Sequence, residues 1–185
     1  MRHSVRGGFH YGMLGTGRCR AVEEAVSADE GGQLRSERGQ DGQHAVAYGG
    51  YETGGQDFPR YCVLLAGTNN IGRWKGRQAA AQTVKGIREI AVRLLKKFPE
   101  TRLILMEVTP YGSDPGSPLR RRQEEINRLL RRLELPRTTI LSINGSLLKP
   151  DGTFREGMFR DHVHLTEKGY QAWADALLPL LNGEG

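Results

Sequence analysis

The sequence is short of cysteine, of aromatic residues and of long apolar runs. Its two cysteines, Cys19 and Cys62, are too few for a disulfide framework and form no CxxC pair, which argues against a redox dithiol and a structural zinc site. Cys62 stands inside an apolar run and reads as a buried thiol. No apolar stretch approaches the length needed to span a bilayer, so no membrane span is expected. The N-terminus carries charges and glycines without an apolar h-region. The expectation is a cytoplasmic protein as written, unless an altered start has removed an export signal. Aromatics make up 7 % of the chain and apolar residues only 37 %. The 27 Lys and Arg outnumber the 21 Asp and Glu for a net charge of +6, a balance that raises the question of an acidic partner. No aromatics interleave the basic residues, however, and the arginines alternate with glutamates in Arg120-Arg121-Arg122-Gln123-Glu124-Glu125 and Arg131-Arg132-Leu133-Glu134. These stretches read as solvated helix faces, and no nucleic-acid partner is expected.

Glycine, by contrast, is abundant: 25 residues, crowded into the first third. Residues 1–57 carry Gly7-Gly8, Gly31-Gly32, Gly49-Gly50 and Gly54-Gly55 between polar stretches. They read as an irregular segment with at most a short helix over Arg20–Glu30 and a weak strand at Ala45–Tyr48. The pattern changes at Phe58-Pro59, and residues 58–185 read as one domain.

In that domain Tyr61–Ala66 is a continuous apolar run ending in Gly67, as in a strand buried on both faces of a parallel sheet. Gln78–Phe98 follows at helical spacing, with Val84, Ile87, Ala91, Leu94, Leu95 and Phe98 on one side and Lys96-Lys97 near its end. Arg102–Val108 is a second strand, opening into the turn-rich loop Thr109–Gly116. Leu119–Leu133 is a helix with Ile126, Leu129, Leu130 and Leu133 inward. Thr138–Ile143 is a third strand. A last helix runs from the N-cap Thr166 to Leu181, with Tyr170, Trp173, Leu177 and Leu181 inward. Strands alternating with helices specify an α/β fold, a three-layer sandwich around a mostly parallel sheet. Its ligand site lies beyond the carboxyl ends of the strands, which singles out residues 67–72, 109–117 and 144–164.

Two motifs fall in those loops. Gly67-Thr68-Asn69-Asn70 follows the first strand; Gly67 permits a sharp turn, and Asn69 is either a side-chain donor to a developing oxyanion or a turn former. Asp161-His162-Val163-His164-Leu165 precedes the last helix. A carboxylate three residues before an imidazole can bind one ring nitrogen and leave the other facing a cleft. The plainer alternative is a turn-capping Asp161 with His164 a surface residue. His162 competes for the base role with a less suitable spacing, and metal binding by this cluster is much less favoured.

Strand-GTNN together with DHVHL before an amphipathic helix resembles the SGNH (GDSL-type) hydrolases, nearest to the branch of the intracellular platelet-activating-factor acetylhydrolase catalytic subunits. The resemblance runs from about 58 to 181 and includes Pro150-Asp151-Gly152-Thr153. It implies an SGNH, flavodoxin-like α/β/α fold, with Asn69 as oxyanion donor, His164 as general base and Asp161 as its orienting partner. It also implies hydrolysis of a small carboxylic or acetyl ester with no metal and no organic cofactor.

The resemblance also implies a Gly-Asp-Ser block that this sequence does not contain. The serines before Tyr61 are Ser4, Ser27 and Ser36, none of them after an apolar strand, so the nucleophile is unidentified. Ser113, Ser117, Ser142 and Ser146 lie where such a family does not place one, and Gly49-Gly50 is a weak imitation of the family's second glycine block. Degenerate codons for Ala47–Gly54 read in a shifted frame can encode Leu-Trp-Arg-Leu-Arg-Asp-Gly, similar to a stretch that family members carry before the GTNN strand. An altered frame over the first third is therefore one explanation of the missing block. The expected function is a serine esterase. The alternatives are a non-catalytic relative that binds an ester or a protein partner and, more weakly, a nucleic-acid binder. A sheet lacking its first strand and helix leaves an edge and an apolar face open, so poor solubility or a homodimer is expected.

Overall fold

The computed structural model describes the backbone of residues 26–28, 34–36, 44–48, 60–72 and 79–182, and side chains within 60–72 and 79–182. The described elements are β1 (Val26–Ala28), β2 (Leu34–Ser36), β3 (His44–Tyr48), β4 (Tyr61–Leu65), α1 (Thr68–Gly72), α2 (Ala80–Lys97), β5 (Arg102–Met106), α3 (Pro118–Leu130), β6 (Thr138–Leu141), α4 (Asn144–Leu147) and α5 (Glu167–Leu181). Strands β4, β5 and β6 are parallel and adjacent in that order, and β3 pairs antiparallel with β4. The fold is the expected α/β sandwich. Among the described residues no helix is long and apolar enough to cross a membrane.

Alternation along the strands builds two cores. Cys62 and Leu64 of β4, with Leu103 and Leu105 of β5, face a cluster completed by Val84, Ile87, Ala91 and Leu95 of α2 and Ile126 and Leu130 of α3. Tyr61, Val63, Ile104 and Met106 point the other way, onto Ile143, Leu147 and Leu177 from the α4–α5 side. Both faces are therefore apolar, which is why these strands lack a polar alternate and read as continuous runs. Helices α2 and α3 lie on the same face, as successive crossovers of one hand require. Burial pushes the Cys62 thiol up to about 11.

Local chemistry marks the helix ends. The Gln82 side chain accepts from the Ala79 N–H at the start of α2, and Lys96 and Lys97 occupy its last turn, where cations suit the helix dipole. Ser117 caps α3 by accepting from the Arg120 N–H, with Pro118 in the first turn. Thr166 caps α5 through the Gly169 N–H.

Four expectations are corrected. Within the helix expected over residues 20–30, Val26–Ala28 is a strand paired with Leu34–Ser36, and the other residues of that stretch lie outside the described ones. The edge expected to be open beside β4 is occupied by β3, whose register runs from His44 opposite Leu65 to Tyr48 opposite Tyr61. Tyr170 does not point inward; it is exposed and stacks on Trp173, ring centroids 6.0 Å apart. Arg120 and Gln123, assigned to a solvated face, are buried, because their polar groups find backbone carbonyls inside (below). Cys19, Ser4 and Gly49-Gly50 lie outside the described residues, and Ser27 and Ser36 fall in β1 and β2.

Candidate active site

The loops leaving the carboxyl ends of β4, β5 and β6 converge at one end of the sheet. Gly67 makes the first turn with φ of 113°, and a Cβ there would stand 3.1 Å from the Val108 side chain and 3.4 Å from Ile87 and Thr83. Only glycine fits both the backbone and the space. The turn delivers the chain into α1, whose inward residue Ile71 is fully buried and whose first turn carries the half-buried Asn69.

Beyond β5 the backbone is held from α3. The buried Asn127 side chain accepts from the Val108 N–H and donates to its carbonyl, both at 2.8 Å. Gln123 donates to the same carbonyl at 2.8 Å. A side-chain amide that mimics a strand neighbour satisfies a buried peptide where the sheet has ended. The chain then runs to Tyr111, whose ring lies so close against Gly72 of α1 that a Cβ at Gly72 would clash with the phenol. The next residue, Gly112, donates its N–H to the His162 carbonyl at 2.7 Å. One short loop thus touches both the helix that carries Asn69 and the turn that carries His164.

That turn is closed at its base. Arg160 N–H donates to the His164 carbonyl at 2.8 Å, and Phe159 and Leu165 form a bridge just outside it. Leu165 anchors the turn in the core, and Gly169 of α5 lets the Met158 carbonyl approach to a distance no Cβ would allow. At the tip, His164 Nδ1 lies 2.7 Å from Asp161 Oδ2, while Asp161 Oδ1 accepts from the backbone N–H groups of Val163 and His164, each at 2.8 Å. The His164 and Val163 N–H groups, and then the imidazole, hold the Asp161 carboxyl far below the usual carboxylate range. With Nδ1 committed to an ionised carboxylate, Nε2 is the nitrogen left for a substrate-side proton. His162 has no such partner among the hydrogen bonds of the turn; its described contact is through its backbone carbonyl.

A cavity of about 410 Å³ lined by Tyr61, Arg102, Arg137 and Leu180 sits at the amino ends of the strands, the opposite end from these groups. Asn69, Asp161 and His164 therefore do not line that cavity. The sequence singles out Asn69, Asp161 and His164 as candidates, and of these the structure pairs Asp161 with His164; Tyr111, Gly112, Arg120, Gln123 and Asn127, which hold the loops, the sequence does not single out.

The sequence profile of the GDSL-like lipase/acylhydrolase family matches residues 15–172. The chain belongs to this family. Among its relatives, the platelet-activating factor acetylhydrolase IB subunit alpha1 of Homo sapiens is 30% identical over 125 residues, 66% of this chain and 52% of that protein. The alpha2 subunit of Gallus gallus is 31% identical over 115 residues, 60% of this chain and 47% of that one. The chain spans about half the length of the curated relatives it matches. A crystal structure of a GDSL-like lipase from Bacteroides thetaiotaomicron superimposes with a TM-score of 0.57 at 18% identity, covering 69% of this chain and 64% of the other. A catalytic mutant of an acetylxylan esterase from Geobacillus stearothermophilus gives 0.51 at 17%, covering 65% and 58%. These structures share the fold of this GDSL-like chain.

Proposed function

We propose that this GDSL-like protein is a serine ester hydrolase for small acyl or acetyl esters, with His164 as general base, Asp161 as its orienting partner and Asn69 as an oxyanion donor. The observation that carries the reading is the Asp161–His164 pair at 2.7 Å, on a turn at the carboxyl end of the sheet in a chain of this family. In the proposed cycle the Nε2 of His164 takes the proton of a serine hydroxyl as that oxygen attacks the ester carbonyl. The Asn69 amide and backbone N–H groups stabilise the tetrahedral oxyanion. The imidazolium returns the proton to the departing alcohol, and water, activated by the same imidazole, releases the acid from the acyl-serine. No metal or organic cofactor enters this chemistry. An acetyl or other short acyl group is favoured because the relatives include acetylhydrolase subunits and an acetylxylan esterase.

The test is hydrolysis of p-nitrophenyl acetate by the purified chain beside its His164→Ala variant. Turnover by the parent and none above background by the variant supports the reading; equal rates overturn it. Replacing Ser4, Ser27 and Ser36 singly then assigns the nucleophile.

One observation favours a second reading, a non-catalytic relative that binds an ester or a partner: the sequence has no Gly-Asp-Ser block. Loss of a triad serine costs on the order of 10⁶ in turnover in serine proteases. The nucleotide sequence separates the two. A shifted frame that encodes Gly-Asp-Ser upstream of Tyr61 favours the hydrolase, and none in any frame favours the binding relative.

A further inference from the structure

Arg120 is the largest fully buried side chain on α3, 1 % exposed, and among the described residues it makes no salt bridge. Its guanidinium donates to two backbone carbonyls from different loops: Nη1 to Gly152 at 3.0 Å and Nη2 to Gly112. Among the described residues its Nε is buried without a hydrogen-bond partner. Burial lowers the guanidinium's pKa, opposed only by the more distant charges of Glu124 and Asp114. Burying a cation without a carboxylate is unfavourable, and an apolar side chain of similar volume commonly serves stability as well or better. The reason for an arginine here must lie in what its fork holds.

Both routes from that fork end on the turn that carries His164. The first passes through Gly112, whose carbonyl accepts from Arg120 while its N–H donates to the His162 carbonyl at 2.7 Å. The peptides on either side of one glycine are thus fixed between the guanidinium and the turn. The second passes through Phe154, whose ring lies under the guanidinium at 5.6 Å. Phe154 stacks on Phe159, centroids 3.8 Å apart, and Phe159 bridges to Leu165 beside His164. Gly112 and Gly152 both have positive φ, 80° and 81°, a conformation that side chains other than glycine's rarely adopt.

We propose that Arg120 is a positioning residue for the base: it locks the 109–112 and 152–159 segments so that the turn keeps Asp161 and His164 paired. The inference deepens the hydrolase reading above and rests on it for the role of His164. The lock itself is a property of the folded chain that does not require turnover.

The experiment follows the Asp161 carboxyl by ¹³C NMR in the full chain and in Arg120→Met and Arg120→Lys, with denaturant unfolding in parallel. In the parent, Asp161 titrates below the ordinary carboxylate range, held there by the His164 and Val163 N–H groups and the imidazole. In Arg120→Met its titration moves up toward that range, and Arg120→Lys, which keeps the charge but not the fork, falls between. A variant that unfolds cooperatively with Asp161 titrating as in the parent overturns the proposal, since loss of general stability alone would not move that carboxyl. Where Arg120→Met does not fold, amide exchange in the parent decides. Common protection of the Gly112, Val163 and His164 N–H groups supports the lock; Gly112 exchanging independently of the other two overturns it. A parent that does not hydrolyse p-nitrophenyl acetate defeats the hydrolase reading and leaves the titration result standing.

Discussion

Asp161 binds His164 twice, through the ring nitrogen at 2.7 Å and through the backbone N–H at 2.8 Å. One carboxylate therefore fixes both the tautomer of the imidazole and the conformation of the turn that presents it. Asp161→Asn keeps the shape of the side chain but favours the wrong tautomer. On the hydrolase reading it should lower kcat on the order of 10⁴-fold with a smaller change in KM, by analogy with triad carboxylates. Initial rates on p-nitrophenyl acetate check this.

The same carboxylate sets a pH dependence. Its pKa is depressed in the folded protein, so on acidification the unfolded chain takes up the proton first. The stability contributed by the turn is fully present above the ordinary carboxylate range and is lost as pH falls below about 4 toward the folded value. Urea midpoints measured from neutral pH down to about pH 3 should fall more steeply for the parent than for Asp161→Asn. Parallel curves would show that the pair contributes nothing to folding.

Gly67→Ala tests the turn beneath Asn69. The substitution forces an unfavourable φ and sets a Cβ 3.1 Å from Val108, so a loss of about 1–3 kcal/mol is expected. Denaturant unfolding measures the loss. If the oxyanion reading of Asn69 holds, kcat falls as well in protein that remains folded.

The fold was largely legible because β4, β5 and their crossover helices bury apolar residues at regular spacing, and a period is visible without tertiary information. Asp161 and His164 stand out as candidates for a different reason: they are three residues apart and bonded to each other, while Asn69 is marked only by the GTNN turn that follows β4. What was not legible lies where polar side chains face inward. Arg120, Gln123 and Asn127 share the buried side of α3 with Ile126 and Leu130, so hydropathy places two of them on the outside. Their acceptors, Gly112, Gly152 and Val108, are 8 to 32 residues away, and nothing in a single sequence pairs them. Strand β3 was only faintly visible because its partner comes after a glycine-rich stretch.

Asn127→Ala removes both hydrogen bonds to Val108. The carbonyl keeps Gln123 as a donor, while the N–H is left buried and unpartnered. The expected cost is about 1–3 kcal/mol, the desolvation cost of one orphaned backbone donor. Gln123→Ala, which leaves that carbonyl bonded to Asn127, should cost less. Equal costs in denaturant unfolding would mean that the N–H regains a partner through rearrangement.

The pair of Glu107 and Arg131 is asymmetric: the carboxylate side chain is 2% exposed and the guanidinium 59%. Arg131 binds both Glu107 oxygens, one at 3.0 Å, and Asn144 reaches the same carboxylate at 3.4 Å. Removing the arginine leaves a buried charge with one long hydrogen bond, whereas removing the glutamate frees a side chain that water already solvates. Arg131→Ala should therefore destabilise the protein by about 1–2 kcal/mol, less than a fully buried pair because half of this one is screened. Glu107→Leu replaces the buried carboxylate with an apolar side chain and removes its desolvation cost. The double variant Glu107→Leu/Arg131→Ala should then be more stable than Arg131→Ala alone. Denaturant unfolding of the four proteins in the cycle checks the order. A double variant no more stable than the single would show that the buried carboxylate is satisfied without Arg131.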